Sequence, residues 1–108
     1  KRPLPAITLS EVLATSDVPG GVVNILTGRT AELAPPLASH MDVNAIDLTG
    51  TVGAEGVAWG ELEAEAAGSV KRVVRPRDTE QDWTQIPDGP RRILAFTETK
   101  TVWHPKGM

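Results

Sequence analysis

An α/β fold with a short parallel sheet covered by helices is what this sequence predicts, and three observations carry that prediction. Residues 22–26 (VVNIL) and 45–48 (AIDL) are compact apolar runs, with Asn24 and Asp47 as the odd polar members. Near-continuous runs of this kind suit parallel strands buried on both faces. Each run ends in a glycine-containing turn, the first at Gly28 and the second at Thr49, Gly50 and Thr51, which is the layout of a nucleotide-binding α/β unit. Strand and helix patterns alternate as far as residue 75, an order that favours right-handed βαβ crossovers.

The elements follow in chain order. Residues 5–16 read as a helix, with Pro5 in its first turn, Leu9, Val12 and Leu13 on one face and Glu11 on another, stopping before Asp17, Pro19 and Gly20. Residues 22–26 are the first strand. Thr30 is placed to cap a helix carrying Leu33 and Leu37, but Pro35 and Pro36 each remove a backbone donor and crowd the preceding turn. A short or broken helix is therefore expected, and a start at Pro35 is one form of it. After the second strand, residues 45–48, Ala54, Val57, Ala58, Leu62 and Ala66 recur at helical spacing, with Glu55, Glu61, Glu63 and Glu65 turned outward and Gly68 as the stop. Residues 70–75 form a third short strand around Val73 and Val74.

From residue 77 to 89 the chain turns polar and rich in turn formers, as a linker or surface loop does. Pro90 then opens a short helical stretch with Ile93, Leu94 and Phe96, and residues 97–103 alternate as an antiparallel or edge strand would. The expected division is a partial nucleotide-binding α/β domain over 1–76, a linker over 77–89, and a short helix with a C-terminal oligomerisation strand over 90–108. There is no internal repeat.

Composition narrows the function. At 108 residues, 40% hydrophobic and 23% charged, the chain makes one domain at most, with a modest core. A net charge of −3 gives no bulk attraction for nucleic acid or an anionic membrane. No apolar stretch approaches the roughly 20 residues that span a bilayer, and Pro3, Pro5, Ser10 and Glu11 stand where a signal peptide needs an apolar centre, so a cytoplasmic setting is the expectation. The absence of cysteine excludes a disulfide framework, a thiolate zinc site and a thiol nucleophile.

Individual side chains carry two readings each. Thr49, Gly50 and Thr51 precede a helical pattern, and the free amides at a helix N-terminus seat a pyrophosphate well. Alternatively Thr51 simply caps that helix. Gly28 reads as a ligand-approach position or as a conformational turn glycine. Asp47, in an apolar strand, must reach the sheet end, find a partner or face solvent where a layer is missing, because an unpaired buried carboxylate is costly, and the last of these is the favoured reading. His40 reads as a helix C-terminal residue and His104 as a surface residue after a strand; neither has a metal-ligand spacing. Lys71, Arg72, Arg75 and Arg77 read as a solvated strand end, with anion binding as the lesser alternative. Trp59, Trp83 and Trp103 read as anchors for a helix, the loop and the tail.

The ordered residues Pro3, Leu4, Val18, Pro19, Gly20, Gly21, Val22, Val23, Asn24 and Ile25, then Gly28, then His40, Met41 and Asp42, then Leu48, Thr49, Gly50 and Thr51, resemble the cofactor-binding domain of the aldehyde dehydrogenase superfamily without a gap. The tail ILAFTETKTVWHP is similar to that superfamily's C-terminal strand, part of its oligomerisation hairpin. The resemblance implies a Rossmann-like three-layer fragment with a C-terminal edge or swapped strand, an NAD or NADP site at Gly28, Thr49, Gly50 and Thr51, and a pyrophosphate contact where Thr51 keeps the hydroxyl of the family's FTGS serine.

Departures from the family pattern matter equally. Arg29, Thr30 and Ala34 stand where further glycines usually follow Gly28, Pro76 and Arg77 stand where a general-base glutamate is expected, and the nucleophilic cysteine is missing. A cofactor lysine expected ahead of residue 1 is absent or belongs to a longer parent. Three functions follow as expectations: a noncatalytic cofactor-domain fragment that binds NAD(P) or associates as a homodimer or with a full-length dehydrogenase; the cofactor part of an active oxidoreductase whose cysteine and glutamate lie in missing sequence or a partner; and a small α/β interaction module that binds no nucleotide. Alone, the chain is expected to be inactive.

Overall fold

The structure, a computed structural model, describes residues 3–77, 82, 84 and 90–107. Its elements are α1 (Leu4–Ala14), α2 (Thr30–Ser39), β1 (Ala45–Asp47), a 3-10 turn (Thr49–Thr51), α3 (Trp59–Ala67), β2 (Arg72–Val74) and α4 (Arg91–Leu94). β1 and β2 pair in parallel, Ala45 opposite Arg72, Ile46 opposite Val73 and Asp47 opposite Val74, with α3 in the connection between them. This is a small α/β unit with a two-stranded sheet.

Alternation along the strands sorts the two faces of that sheet. Ile46 and Val73 pack on the core formed by Ala34 and Ala38 of α2, Leu48, and Leu62 of α3, so both helices cover one face. Leu48 is the one large side chain that is fully buried among the described residues, at 1% exposure. The other face carries residues 90–98. Arg92 of α4 reaches back to Asp47, and Arg72 reaches the Thr97 carbonyl and Glu98.

Several elements depart from expectation. Residues 22–26 form no strand: β1 takes β2 as its neighbour, and among the described residues nothing pairs with 22–26. The Val22 amide closes a turn on the Pro19 carbonyl, the Asn24 side chain donates to the Gly21 carbonyl, and Val22 and Leu26 are 67% and 69% exposed. A strand exists only as one side of a ladder, so apolar patterning without a partner leaves no strand. The same holds for residues 97–103, which match no strand and leave Trp103 89% exposed, so it anchors nothing here. α1 matches its prediction in place, but none of its residues is buried.

α2 is one short helix of ten residues that runs through Pro35 and Pro36, neither broken there nor started at Pro35. Its first turn is closed by the Arg29 carbonyl, which accepts from the Glu32 and Leu33 amides, and its last by the Pro36 carbonyl, which accepts from His40. Burial of Ala34 and Ala38 against α3 holds the middle, where two donors are missing.

α3 begins later than its pattern indicates and ends at Ala67, with Gly68 at the C-cap as expected. Its N-cap is Ala58, and Gly53 and Gly56 shape the preceding loop at positive φ. Gly68 stays right-handed. The reversal comes at Val70 (φ 55), where the Lys71 amide bonds the Ala66 carbonyl and the Val70 amide bonds that of Ala67. That is a Schellman closure with valine in the place where glycine is usual. Lys71 is buried rather than solvated, its ammonium donating to the Ser69 hydroxyl. Trp83 lies outside the described residues.

Candidate functional site

Two connections meet beside the C-terminal end of β1. Gly28 leads into α2, and the Thr49–Thr51 turn follows β1 once Leu48 is pinned in the core. The turn is closed by the Thr51 amide and hydroxyl, which both donate to the Leu48 carbonyl at 3.0 and 2.7 Å. Gly28, Arg29, Thr30, Gly50, Val52 and Glu55 line a cleft of about 760 Å³ between these connections. An adjoining depression of about 300 Å³ shares Gly28, Thr30 and Gly50, adds Asp47 and Thr51, and is otherwise walled by apolar side chains.

Three of the four predicted site residues therefore come together: Gly28, Gly50 and Thr51. Thr49 lines neither depression. Its amide donates to Asp47 Oδ1 at 2.8 Å, and its hydroxyl oxygen accepts from Arg92 Nη2 at 2.7 Å. Thr51 is buried with its hydroxyl turned to Leu48, and it caps no helix, because α3 starts eight residues later at Trp59. The helix whose N-terminus opens on the cleft is α2: Thr30 and Ala31 line it, and the first amides of a helix have no intrahelical acceptor. Arg29 and Glu55 at the rim balance each other in charge.

The two glycines serve different ends. A Cβ on Gly28 would stand 3.0 Å from Leu33 Cδ1, so this glycine makes room for α2 rather than supplying an unusual backbone angle. A Cβ on Gly50 would meet nothing within 4 Å. That position is open to the cleft.

Asp47 finds a partner at the sheet end. Its Oδ2 accepts from Arg92 Nε at 3.1 Å and Nη2 at 2.7 Å. Burial pushes the Asp47 carboxyl up, and hydrogen bonding by the Thr49 side chain and amide and by Arg92, together with the Arg92 charge, outweighs this and holds it below its ordinary value. Arg92 was not foreseen in the sequence; the signal was the lone carboxylate in an apolar strand, which demanded a cation from elsewhere. His40 ends α2 as expected, its Nδ1 accepting from the Asp42 amide. Arg75 pairs with Glu63 of α3 at 2.6 Å. Among the described residues no three His, Asp or Glu side chains gather as a metal site.

The family model for the aldehyde dehydrogenase family matches residues 1–74. The chain belongs to the aldehyde dehydrogenase family. Aldehyde dehydrogenase 1A1 of Mus musculus is 37% identical over 75 residues, 68% of this chain and 14% of that protein. The cytosolic aldehyde dehydrogenase 1 of Rattus norvegicus is 33% identical over the same length and shares. A mitochondrial aldehyde dehydrogenase of Leishmania tarentolae is 43% identical over 51 residues, 47% of this chain and 10% of that protein. The chain thus spans about a seventh of the aldehyde dehydrogenases it matches. No solved structure matches it. The aldehyde dehydrogenase match covers the whole cleft and stops before residues 90–107, and no helix among the described residues is long and apolar enough to cross a membrane.

Proposed function

We propose that this chain is a noncatalytic member of the aldehyde dehydrogenase family: a Rossmann-like fragment that binds NAD or NADP at the cleft between Gly28 and Gly50. The observation that carries this reading is the meeting of Gly28 with Gly50, twenty-two positions away, at one cleft beside a parallel strand end, with Thr51 in the adjoining depression. Ligands of open α/β sheets sit at that end. The cleft offers space in the range of small-molecule sites, the free amides that open α2, and an apolar annex. These fit a dinucleotide; the Thr49 and Thr51 hydroxyls, both engaged within the protein, add little. Bound NAD(P) accepts a hydride in this family's chemistry, but a chain without cysteine has no thiol to prepare the donor.

Calorimetric titration with NAD and NADP tests the reading. Saturable binding that Gly50→Ala weakens, with the fold unchanged, is the expected result, because the added methyl meets only the cleft. No binding of either nucleotide would leave a small α/β interaction module. Aldehyde oxidation by the chain alone is expected to be nil.

A second role, association with another copy or with a full-length dehydrogenase, is favoured by residues 97–103. They are exposed and without a strand partner among the described residues. Such a segment can complete its backbone bonds by adding to another chain's sheet edge.

A further inference from the structure

We infer that the groove between α1 and residues 18–25 receives Trp103 of a second copy of this chain, so that two molecules exchange their C-terminal segments reciprocally. The inference rests on the association role proposed above and adds to it the receiving surface.

The groove is built from an apolar part of the chain that lacks cover. α1 carries one charged residue, Glu11, has apolar residues on every side, and buries none of them. A helix hydrophobic all round belongs inside a protein or an interface. Leu13 of α1, with Val18, Pro19, Val23 and Ile25 of the following segment, lines a depression of about 440 Å³ that no charged side chain enters. The Ser10 hydroxyl at its edge is spent on the Ile7 carbonyl at 2.6 Å, so the groove asks for an apolar occupant. It shares no residue with the nucleotide cleft or its apolar annex.

The tail supplies the matching piece. Beyond Glu98, which Arg72 holds at 3.5 Å, residues 99–107 are exposed and belong to no helix or strand. Trp103 stands five residues past that contact, so it reaches up to about 17 Å from the sheet. A tryptophan presented in this way buries a large area when a groove takes it in.

Charge selects this tail as the occupant. Residues 99–107 hold Lys100 and Lys106 and no Asp or Glu, whereas the charged residues beside the groove are Glu11, in α1, and Asp17, next to Val18. None of these four forms an ion pair among the described residues. Exposed pairs of this kind orient a segment more than they hold it, leaving the affinity to Trp103. A second copy brings both pieces, and a tail-to-groove contact made once can be made again about a two-fold axis, which closes the pair. Surface is available for it: the chain exposes 9296 Å² where a packed monomer of its mass exposes about 5,800 Å², and a standard dimer covers only about 800 Å² of each partner.

The test is sedimentation velocity with light scattering on the full chain over a range of concentrations, for the native protein, Trp103→Glu and Val23→Lys, each checked for native helix content by circular dichroism. Val18→Lys serves if Val23→Lys does not fold. The native chain is expected to dimerise reversibly, and each variant to weaken the dimer about thirtyfold or more, the range of a central aromatic anchor. Spoiling either side removes the contact, so an equimolar mixture of Trp103→Glu and Val23→Lys keeps one whole contact and dimerises more tightly than either variant alone. If Trp103→Glu dissociates the native dimer but the groove variants do not, or if mixing restores nothing, the tail pairs elsewhere and the groove inference fails while the association role stands. A native chain that stays monomeric at high concentration, its groove empty or filled by its own tail, removes both.

Discussion

At the scale of single residues, Val70 bears the clearest cost. A β-branched side chain at φ 55 meets its own backbone, and at 89% exposure it gains no packing in return. Val70→Gly is expected to stabilise the fold by roughly 0.5–1 kcal/mol, the relieved clash less the extra freedom glycine has when unfolded, as urea denaturation would read. Asp47 gives the second prediction. Its carboxyl is held below its unfolded value of about 3.9, so its contribution is complete above that pH and is lost as pH falls through the folded value. The native chain should exceed Asp47→Asn in stability at neutral pH, and the gap should close in acid. Asp47 shows what a linear reading can register: its oddness in an apolar strand is visible and favours solvent, whereas its partner, forty-five positions away, is out of reach.

At the scale of elements, α2 shows packing overriding local preference. Pro36 is exposed and its missing donor leaves the Glu32 carbonyl without the usual partner from that position, so Pro36→Ala should raise stability by roughly 1–2 kcal/mol, checked by thermal unfolding. The parallel pair, α1, α3, α4 and the helix-ending role of His40 were legible because periodicity and turn chemistry are local. The first strand and the tail strand were not. Their alternation and apolarity are real, but pairing is a property of two segments, and for residues 22–26 and 97–103 the second segment is not among those described. The late start of α3 escaped for a related reason: Ala54 and Val57 fit helical spacing, yet Gly53 and Gly56 at positive φ turn that stretch into a loop.

At the scale of the whole molecule, the candidate site was partly legible because glycine turns after strands mark where a chain doubles back. Gly28, Gly50 and Thr51 did converge, whereas Thr49 was drawn aside by Asp47 and Arg92. Association belongs to this scale as well. Light scattering is expected to show a dimer at high concentration, and Trp103→Glu to return it to monomer, since Trp103 offers an exposed aromatic anchor on an unpaired segment.

The thin core has a calorimetric consequence. The chain exposes 9296 Å² with a radius of gyration of 17.1 Å, against about 5,800 Å² and 13 Å for a packed domain of this mass and length. Little hydration changes when so open a molecule melts. Its heat-capacity increment should fall well short of the ~12–15 cal/mol/K per residue of ordinary domains, flattening its stability curve so that warmth and cold alter its population of folded chains only gently.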